Sequence, residues 1–426
     1  MSDGSIDFSQ DASFSQDARA AAYGLPLDQI NPAQPILFQR NAILPYFERL
    51  RREDPVHYCA ESDYGPYWSI TKYNDIMAVD TNHQAFSSEA TLGGISIAGQ
   101  GGPEALPMFI AMDPPRHDVQ RKTVSPVVSP ANLQLLAPVI RERAGQILDS
   151  LPIGEEFDWV DRVSVELTTM TLATLFDFPF EERRKLTYWS DVATAVPGFG
   201  IVDTLDQKMS ILRECFGAFT DLWNQRVNAP PAGDLISMLA HGAQTRDMPP
   251  REFHGNVILL IVGGNDTTRN TISGSVLALN QNPDQYDRLR AHPELIPSMV
   301  SETIRWQTPL AHMRRTAVQD IEIGGKLIKA GDKVVMWYIS GNRDEEVIEN
   351  PDAFIIDRPR PRQHMSFGFG IHRCVGNRLA ELQLTIIWEE ILKRFPRIDL
   401  VGEPKRVYST FVRGYERMPV VIPARA

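Results

Sequence analysis

Cysteine is scarce in this chain. Only Cys59, Cys215 and Cys374 occur among 426 residues, and they lie far apart. Three scattered cysteines are too few for a disulfide framework and are typical of proteins in a reducing compartment. We therefore expect a cytoplasmic protein in which at least one cysteine is kept for chemistry.

Long apolar segments and an excess of positive charge are missing as well. The most apolar core run, residues 257–262, is far shorter than the ~20 residues that span a bilayer, which predicts no membrane anchor. The 43 basic and 54 acidic residues give a net charge of −11, which argues against binding to nucleic acid. Residues 1–34 are polar and lack the apolar run of a signal peptide, so they are predicted to form a loose tail.

The rest of the chain indicates one large globular unit. With 43% hydrophobic residues it can bury a sizeable core. No internal repeat, low-complexity tract or Ser/Gly/Pro-rich linker divides residues 35–426. We expect this range to form a single domain and the protein to be a monomer.

Helical periodicity dominates the sequence, and strands are few and local. The apolar spacing predicts helices over 133–151, 163–176, 206–227 and 379–395. Short strands are predicted at 56–58 and 67–71, and Gly324-Gly325 marks the turn of a hairpin within 321–329. The predicted fold class is therefore mainly α with small β-sheets.

The longest predicted helix lies between prolines, over 251–281, and would be ~45 Å long. Its run at 257–262 is apolar all round, so the helix should be buried at the centre of the fold. Gly263, Gly264, Asp266 and Thr267 follow, and such residues weaken a core helix, which is typical of a functional site. A packing interpretation is equally consistent: the glycines admit a crossing helix, and the polar pair faces a wet crevice.

Cys374 lies in a glycine-rich segment directly before a predicted helix. Gly368 and Gly370 allow the backbone to approach a bulky group, and Gly376 leaves room beyond the cysteine. Free N–H groups at the helix start favour a thiolate. A phosphate loop would need Gly-x-Gly-x-x-Gly or Gly-Lys-Ser/Thr, and zinc would need more ligands than Cys374 and His372. For a lone cysteine, a structural role is the usual outcome.

The order Phe367-x-x-Gly370-x-x-x-Cys374-x-Gly376 resembles the haem-ligand signature of the cytochrome P-450 superfamily, and this pattern is highly specific. The resemblance implies the cytochrome P-450 fold, with haem b between the long central helix and the cysteine loop. It also implies that Cys374 is the axial ligand of the iron and that Phe367, Gly370 and Gly376 help to bind the cofactor.

Two further motifs support the same resemblance. Glu302-Thr-Ile-Arg305 is similar to the family's Glu-x-x-Arg helix, and Arg358 is similar to the third member of its ion-pair cluster, which implies that this cluster holds the cysteine loop. Four residues match positions that contact the haem propionates in the family: His117, Arg121, Arg315 and His372. Propionates buried with haem need such donors.

The resemblance extends over nearly the whole chain from about residue 35. Segments 45–59, 74–77 and 263–270 are similar to those of the bacterial alkane hydroxylases of this superfamily. This implies hydroxylation at the terminal (omega) position of medium-chain alkanes or fatty acids. One departure, Gly341 where many relatives have Ala, touches nothing catalytic.

The resemblance also implies roles in the reaction. Asp266 is expected to relay protons and Thr267 to hydrogen-bond oxygen during its activation. Because a primary C–H bond is stronger than its secondary neighbours, the shape of an apolar channel must enforce terminal attack. The candidate walls of this channel are Ile97, Val262, Gly263, Leu310, Phe411 and Val412.

Electrons must come from outside the chain, since no flavin or iron–sulfur pattern is present in it. The resemblance implies a ferredoxin and a ferredoxin reductase as partners, with O2 as co-substrate. Three alternatives stay open: a terpene-like substrate, a haem-thiolate sensor or electron carrier, and a peroxide-driven peroxygenase.

Overall fold

The computed structural model describes residues 16–426. Helices dominate this range and are numbered in chain order: α1 Gln16–Gly24, α2 Pro35–Gln39, α3 Leu44–Glu53, α4 Tyr73–Thr81, α5 Arg116–Val124, α6 Pro130–Asp149, α7 Glu166–Phe176, α8 Arg184–Thr194, α9 Leu205–Val227, α10 Leu235–His241, α11 Pro250–Gln281, α12 Pro283–Ala291, α13 Ile296–Gln307, α14 Tyr338–Gly341 and α15 Asn377–Arg394.

The strands are short: β1 Val56–Cys59, β2 Tyr67–Ile70, β3 Phe86–Ser87, β4 Glu156–Asp158, β5 Met313–Ala317, β6 Ile321–Ile323, β7 Lys326–Ile328, β8 Lys333–Met336, β9 Asp399–Leu400, β10 Lys405–Arg406, β11 Tyr415–Arg417 and β12 Pro419–Val421. The largest sheet has the order β1-β2-β8-β5-β3, with only β2 and β8 parallel. The predicted hairpin is β6 and β7, paired about Gly324-Gly325. The predicted fold class is confirmed.

Helix α11 is the predicted central helix and has 32 residues, about 48 Å. Pro250 lies in its first turn, where the missing N–H costs nothing, and the helix ends just before Pro283. It packs against α7, α8, α13 and α15. In its apolar run Val257, Ile258 and Ile261 are buried, whereas Leu259, Leu260 and Val262 are only half-buried, so the run is not buried on all sides as predicted. The large hydrophobic core of the protein forms around it.

Two smaller cores cover the two faces of the largest sheet. Val335 packs on one side with Trp337, while Val334 and Met336 pack on the other with Ile70. This follows from the alternation of side chains along a strand. In the described part of the chain no single helix has the length and apolar character of a membrane span, although the bent pair Arg116–Val128 and Pro130–Asp149 has them jointly.

The predicted loose tail is wrong for residues 16–34. Helix α1 packs on α3, with Ala22 fully buried, and Ile30 belongs to one of the smaller cores. Arg19 also forms an ion pair with Glu48. The sequence prediction failed here because the apolar residues are few and their partners lie about 30 positions away. The remainder of the predicted tail lies outside the described residues.

Candidate active site

The cysteine segment is a tight loop that leads into α15. The φ angles of Gly368 and Gly370 are +65° and +63°, a left-handed conformation that glycine adopts without strain. The Cys374 N–H donates to the Phe367 carbonyl over 2.8 Å. A Cβ at Gly370 would lie 2.9 Å from the Asp80 carbonyl, so the close neighbour that this glycine admits is the end of α4. The prediction that Cys374 lies just before a helix is confirmed, since α15 begins at Asn377.

The Cys374 thiol is exposed, yet burial is the main influence on its pKa. A thiol that is open to solvent-sized space and yet surrounded by protein lines an internal cavity. Burial raises the pKa, and the N–H groups of Gly376 and Asn377 and the charges of Arg121 and Arg373 offset it only in part. The N–H groups at the helix start therefore favour a thiolate, as expected, but burial outweighs them. A coordinated metal cation would supply the difference, because coordination deprotonates a thiol.

Two buried histidines beside this loop have donors without acceptors. The rings of His117 and His372 meet edge to face at 4.3 Å. Within residues 16–426, Nε2 of His117 and both ring nitrogens of His372 lack a hydrogen-bond partner. Burial and nearby Arg315 lower the pKa of His372 to about 2. Arg121 is close enough to lower it further. Nδ1 of His117 contacts the Asp118 carboxylate at 2.8 Å, so its Nε2 and the ring of His372 are the nitrogens still without a partner, which fits a carboxylate of haem.

Arg315 has an additional partner that the sequence did not indicate. Its guanidinium donates to Oδ1 of buried Asp80 over 2.7 Å. The other oxygen of Asp80 accepts from the Tyr338 hydroxyl at 2.7 Å and from the Phe369 N–H at 2.8 Å. Asp80 therefore joins the cysteine loop to Arg315. One nitrogen of the Arg315 guanidinium is thus engaged by Asp80. A contact between Arg315 and a propionate stays a prediction.

The predicted ion-pair cluster is assembled and buried. Glu302 is fully buried, and its carboxylate accepts two hydrogen bonds of 2.8 Å from Arg305. Arg358 reaches the same carboxylate at 3.0 and 3.2 Å. Arg305 also donates to the carbonyls of Asn342 and Pro351, which lie before the cysteine loop. The cluster thus braces the segment that presents Cys374.

The two adjacent glycines of α11 have different surroundings. A Cβ at Gly264 would lie 2.6 Å from a methyl carbon of Leu172, so this glycine admits the crossing helix α7. A Cβ at Gly263 would have nothing within 4 Å, although it lies in the middle of a buried helix. The packing interpretation is correct for Gly264, while Gly263 lies beside open space. Val262 next to it is half-buried.

Asp266 is fully buried and faces α8. Its carboxylate accepts from the hydroxyls of Ser190 at 2.9 Å and Thr194 at 3.3 Å, and it lies 3.0 Å from the Arg269 guanidinium. Burial raises its pKa, and these partners offset the effect only in part. Arg269 also binds Asp191, whose side chain is 26% exposed. A chain of charged groups thus runs from Asp266 to the surface.

Thr267 follows on the next face of α11 and is half-buried. Its hydroxyl donates to the Gly263 carbonyl over 2.9 Å, so the hydroxyl lies on the side of the helix that Gly263 leaves open. Asp266 and Thr267 therefore face different surroundings: one the protein interior toward α8, the other open space.

The structure brings four of the predicted substrate residues together. Leu310 and Val412 form a bridge, and the Ala311 N–H donates to the Phe411 carbonyl over 2.9 Å. The side chain of Ile97 is packed in a core with Ala311 and is only 1% exposed. The half-buried Leu310 and Phe411 are better placed to contact a ligand than Ile97 is. Their roles stay predictions.

Sequence reasoning missed Asp80, Arg269 and Asp191 together with the hydroxyls of Ser190 and Thr194. Arg269 lies three positions after Asp266, a spacing that brings side chains together on a helix and could have been read as a signal. Asp80 and Asp191 contact their partners across more than 70 positions, and no local pattern reveals such contacts.

The chain is similar to several known proteins. A family model described as "Cytochrome P450" matches residues 225–413. Linalool 8-monooxygenase of Pseudomonas putida is 37% identical over 398 residues, 91% of this chain and 97% of the relative. The methyl-branched lipid omega-hydroxylase of Mycobacterium tuberculosis is 31% identical over 392 residues, 88% of this chain and 90% of the relative.

A solved structure is similar in both sequence and fold. "Cytochrome P450-153 from Novosphingobium aromaticivorans" superposes with a TM-score of 0.86 and is 47% identical. The match covers 92% of this chain and 99% of that one.

Proposed function

Because the chain belongs to the cytochrome P-450 family, monooxygenases that carry haem b and act on hydrophobic substrates, we propose that it hydroxylates aliphatic C–H bonds. The proposed position is the terminal (omega) carbon of medium-chain alkanes or fatty acids. Support comes from the segments that resemble bacterial alkane hydroxylases and from the 31% identity to a lipid omega-hydroxylase. A terpene-like substrate is the second candidate, favoured by the 37% identity to linalool 8-monooxygenase.

Haem b, when bound through a thiolate, supplies the oxygen-activating chemistry, since a thiolate ligand favours O–O cleavage. Cys374 would provide that sulfur. The donors of His117, Arg121, Arg315 and His372 would hold the propionates. Unpaired ring nitrogens support this role for His117 and His372, whereas Arg121 and Arg315 are assigned to it by the family resemblance. Phe367, Gly370 and Gly376 would shape the loop around the ligand.

One observation carries the oxygenase proposal in the residues of this chain: a fully buried acid precedes a hydroxyl that lies on the open side of the central helix. Burial raises the pKa of Asp266 above its usual value, which suits the proposed role of this carboxyl in taking up and passing on protons. Asp191 and Arg269 connect this carboxyl to the surface.

Electron supply is proposed to come from a ferredoxin and its reductase. The candidate docking cations near the cysteine are Arg116, Lys122, Arg373 and Arg378. Arg373 and Arg378 are exposed beside Cys374, whereas Arg116 is engaged by Glu252 at 2.8 Å. Exposed cations next to the haem ligand suit an acidic partner. We further propose that residues 35–426, together with the segment 16–34 that packs on them, act as one haem-binding domain and that the protein is a cytoplasmic monomer.

The substrate proposal predicts a regular dependence of affinity on chain length. In Soret-band titrations of the holoenzyme with n-alkanes, each added methylene should tighten binding about fourfold until the channel is full, because burial of one methylene contributes about 0.8 kcal/mol. Fatty acids of matched length serve as the second series. Tighter binding of linalool, with no trend along the alkanes, would favour the terpene-like alternative.

Removing the Thr267 hydroxyl should uncouple electron use from product. In Thr267→Ala we expect the product formed per electron pair to fall about tenfold or more, because the donor on the open side is lost. Thr267→Ser should keep most of the coupling. Thr271→Ala is the matched control, since Thr271 makes the same bond to a carbonyl one turn later, at 2.7 Å. Unchanged coupling in Thr267→Ala would remove this residue from the proposed relay.

A further inference from the structure

His312 joins two loops that are distant in sequence. It is fully buried just before β5. Its Nε2 lies 3.2 Å from the backbone nitrogen of Ile97, which can only donate, so Nε2 is the acceptor. Nδ1 therefore carries the proton and donates to the Thr410 carbonyl at 2.9 Å. Both nitrogens are thus used, one toward each loop.

The ring of His312 is also fixed by aromatic contacts. It meets Trp337 edge to face at 4.9 Å and Phe411 at 5.3 Å. Burial lowers the pKa of His312 to about 4, which keeps the ring neutral at ordinary pH and preserves the single tautomer that serves both loops. No charge has to be stabilised here.

The two loops carry candidate walls of the proposed substrate channel. The first, residues 92–99, includes Ile97, and the second, residues 409–413, includes Phe411 and Val412. Arg314 holds the first loop independently through the carbonyls of Leu92 at 3.0 Å and Gly93 at 3.2 Å. Loss of His312 would therefore shift Ile97 against Phe411 without releasing the whole loop.

Simple core packing does not require a histidine at this place. An apolar ring would fill the space between Trp337 and Phe411 without the cost of burying two polar nitrogens. A histidine with both nitrogens bonded instead links the loops 92–99 and 409–413 directly, in addition to the backbone bonds that tie each loop separately to the segment 309–314. The position is then defined to a fraction of an ångström, which is the precision that selective attack on one carbon needs.

We propose that His312 is a positioning residue that sets the separation of the loops 92–99 and 409–413 and thereby the carbon of the substrate chain that is hydroxylated. This inference rests on the proposed function, because it assumes that these loops flank the substrate. It goes beyond that function by assigning regioselectivity to a residue that need not touch the substrate.

Two variants separate the two bonds of His312. Asparagine can place an amide donor near the Nδ1 position and keep the Thr410 bond, so His312→Asn loses the Ile97 bond. Glutamine can place an oxygen near the Nε2 position and keep the Ile97 bond, so His312→Gln loses the Thr410 bond. His57 is a matched control, since it is buried and binds Asp54 and the Ile30 carbonyl at 2.9 Å each.

The first measurement is hydrogen exchange at the Ile97 amide in the holoenzyme. Exchange should be at least about tenfold faster in His312→Asn and near the parent rate in His312→Gln and in His57→Gln. The second is the ratio of terminal to subterminal product from n-octane, which should fall about tenfold in both His312 variants and stay unchanged in the His57 variants. Altered exchange with an unaltered product ratio, or unaltered exchange, overturns the proposal.

A third measurement tests the positioning role of His312 without relying on the proposed substrate class. If the parent protein hydroxylates neither n-octane nor a fatty acid of matched length, the proposed function fails, and the channel is measured instead with phenylimidazole, which binds haem through the same space. Its dissociation constant, from the Soret shift, should rise about tenfold in the His312 variants alone. Equal effects in the His57 and His312 variants would contradict a positioning role.

Discussion

Replacement of Cys374 by serine should abolish hydroxylation and the spectral signature of a thiolate-bound haem. The serine hydroxyl is nearly the same size but stays protonated, so it cannot donate electron density to the iron as a thiolate does. Porphyrin content, the carbon monoxide difference spectrum and product formation in the purified variant measure the effect. We expect product to fall below detection, a larger loss than in any other variant proposed for this protein.

The other two cysteines provide matched controls. Cys59 and Cys215 are buried, and burial raises the pKa of the Cys59 thiol to about 12 and that of Cys215 further above its usual value. Neither is expected to bind metal, so Cys59→Ser and Cys215→Ser should keep the spectrum and the activity. A parent-like spectrum in Cys374→Ser, or its loss in a control variant, would contradict the assignment of the ligand.

Neutralising Glu302 should have the largest effect on stability. Glu302→Gln leaves the buried guanidinium groups of Arg305 and Arg358 without a counter-charge, and breaking such a buried pair costs about 3–5 kcal/mol. The midpoint of urea unfolding of the holoenzyme measures the loss. Because the cluster braces the cysteine loop, haem retention should fall with it.

A surface pair with the same spacing separates burial from charge. Glu182 and Lys185 also lie three positions apart, but both are about half exposed. Glu182→Gln should change the free energy of unfolding by less than about 1 kcal/mol, because exposed pairs contribute little. Equal effects of the Glu302 and Glu182 variants would show that the buried cluster has no special role.

The Glu302 cluster also predicts the direction of a pH effect. Although burial opposes ionisation, the hydrogen bonds and charges of Arg305 and Arg358 hold the pKa of Glu302 below its usual value. A group whose folded-state pKa is lowered stabilises the protein above its unfolded pKa, about 4.3. That stability is lost as pH falls from this value through the lower pKa of the folded state, because Glu302 becomes protonated and its ion pairs with the two arginines are lost. Glu302→Gln should remove this part of the acid dependence.

Sequence was a reliable guide where the determining pattern is local. The central helix was predicted from two prolines and one apolar run, and its bounds agree with the structure to within one residue. The hairpin at Gly324-Gly325 followed from turn chemistry. The cysteine loop was found because its glycines and Cys374 lie within ten residues of each other.

Contacts between distant segments were beyond such patterns. Asp80 reaches Arg315 across 235 positions, and Glu302 reaches Arg358 across 56, yet only the second was predicted, because the resemblance supplied it. The same limit explains the tail: α1 is held by α3 through Ala22 and not by its own periodicity. Tertiary packing decides the outcome where local preference is weak.

The candidate substrate and oxygen-activating residues show most clearly what local sequence patterns fail to predict. The apolar character of Ile97 made it a candidate wall, but in the structure its side chain is core and its backbone N–H is what His312 holds. Thr267 and Asp266 are adjacent in sequence but face different surroundings. A sequence gives residue types and their spacing, whereas these roles depend on the direction in which each side chain or backbone N–H points in the fold.

The proposed bond between Cys374 and haem iron underlies the whole account. The carbon monoxide difference spectrum of the reduced, purified protein tests this bond most directly. The strongly red-shifted Soret band of a thiolate-bound carbonyl complex is the predicted result. Purified protein that holds no porphyrin, or that shows only the unshifted band of a haem without a thiolate ligand, would contradict the claim and with it the proposed function.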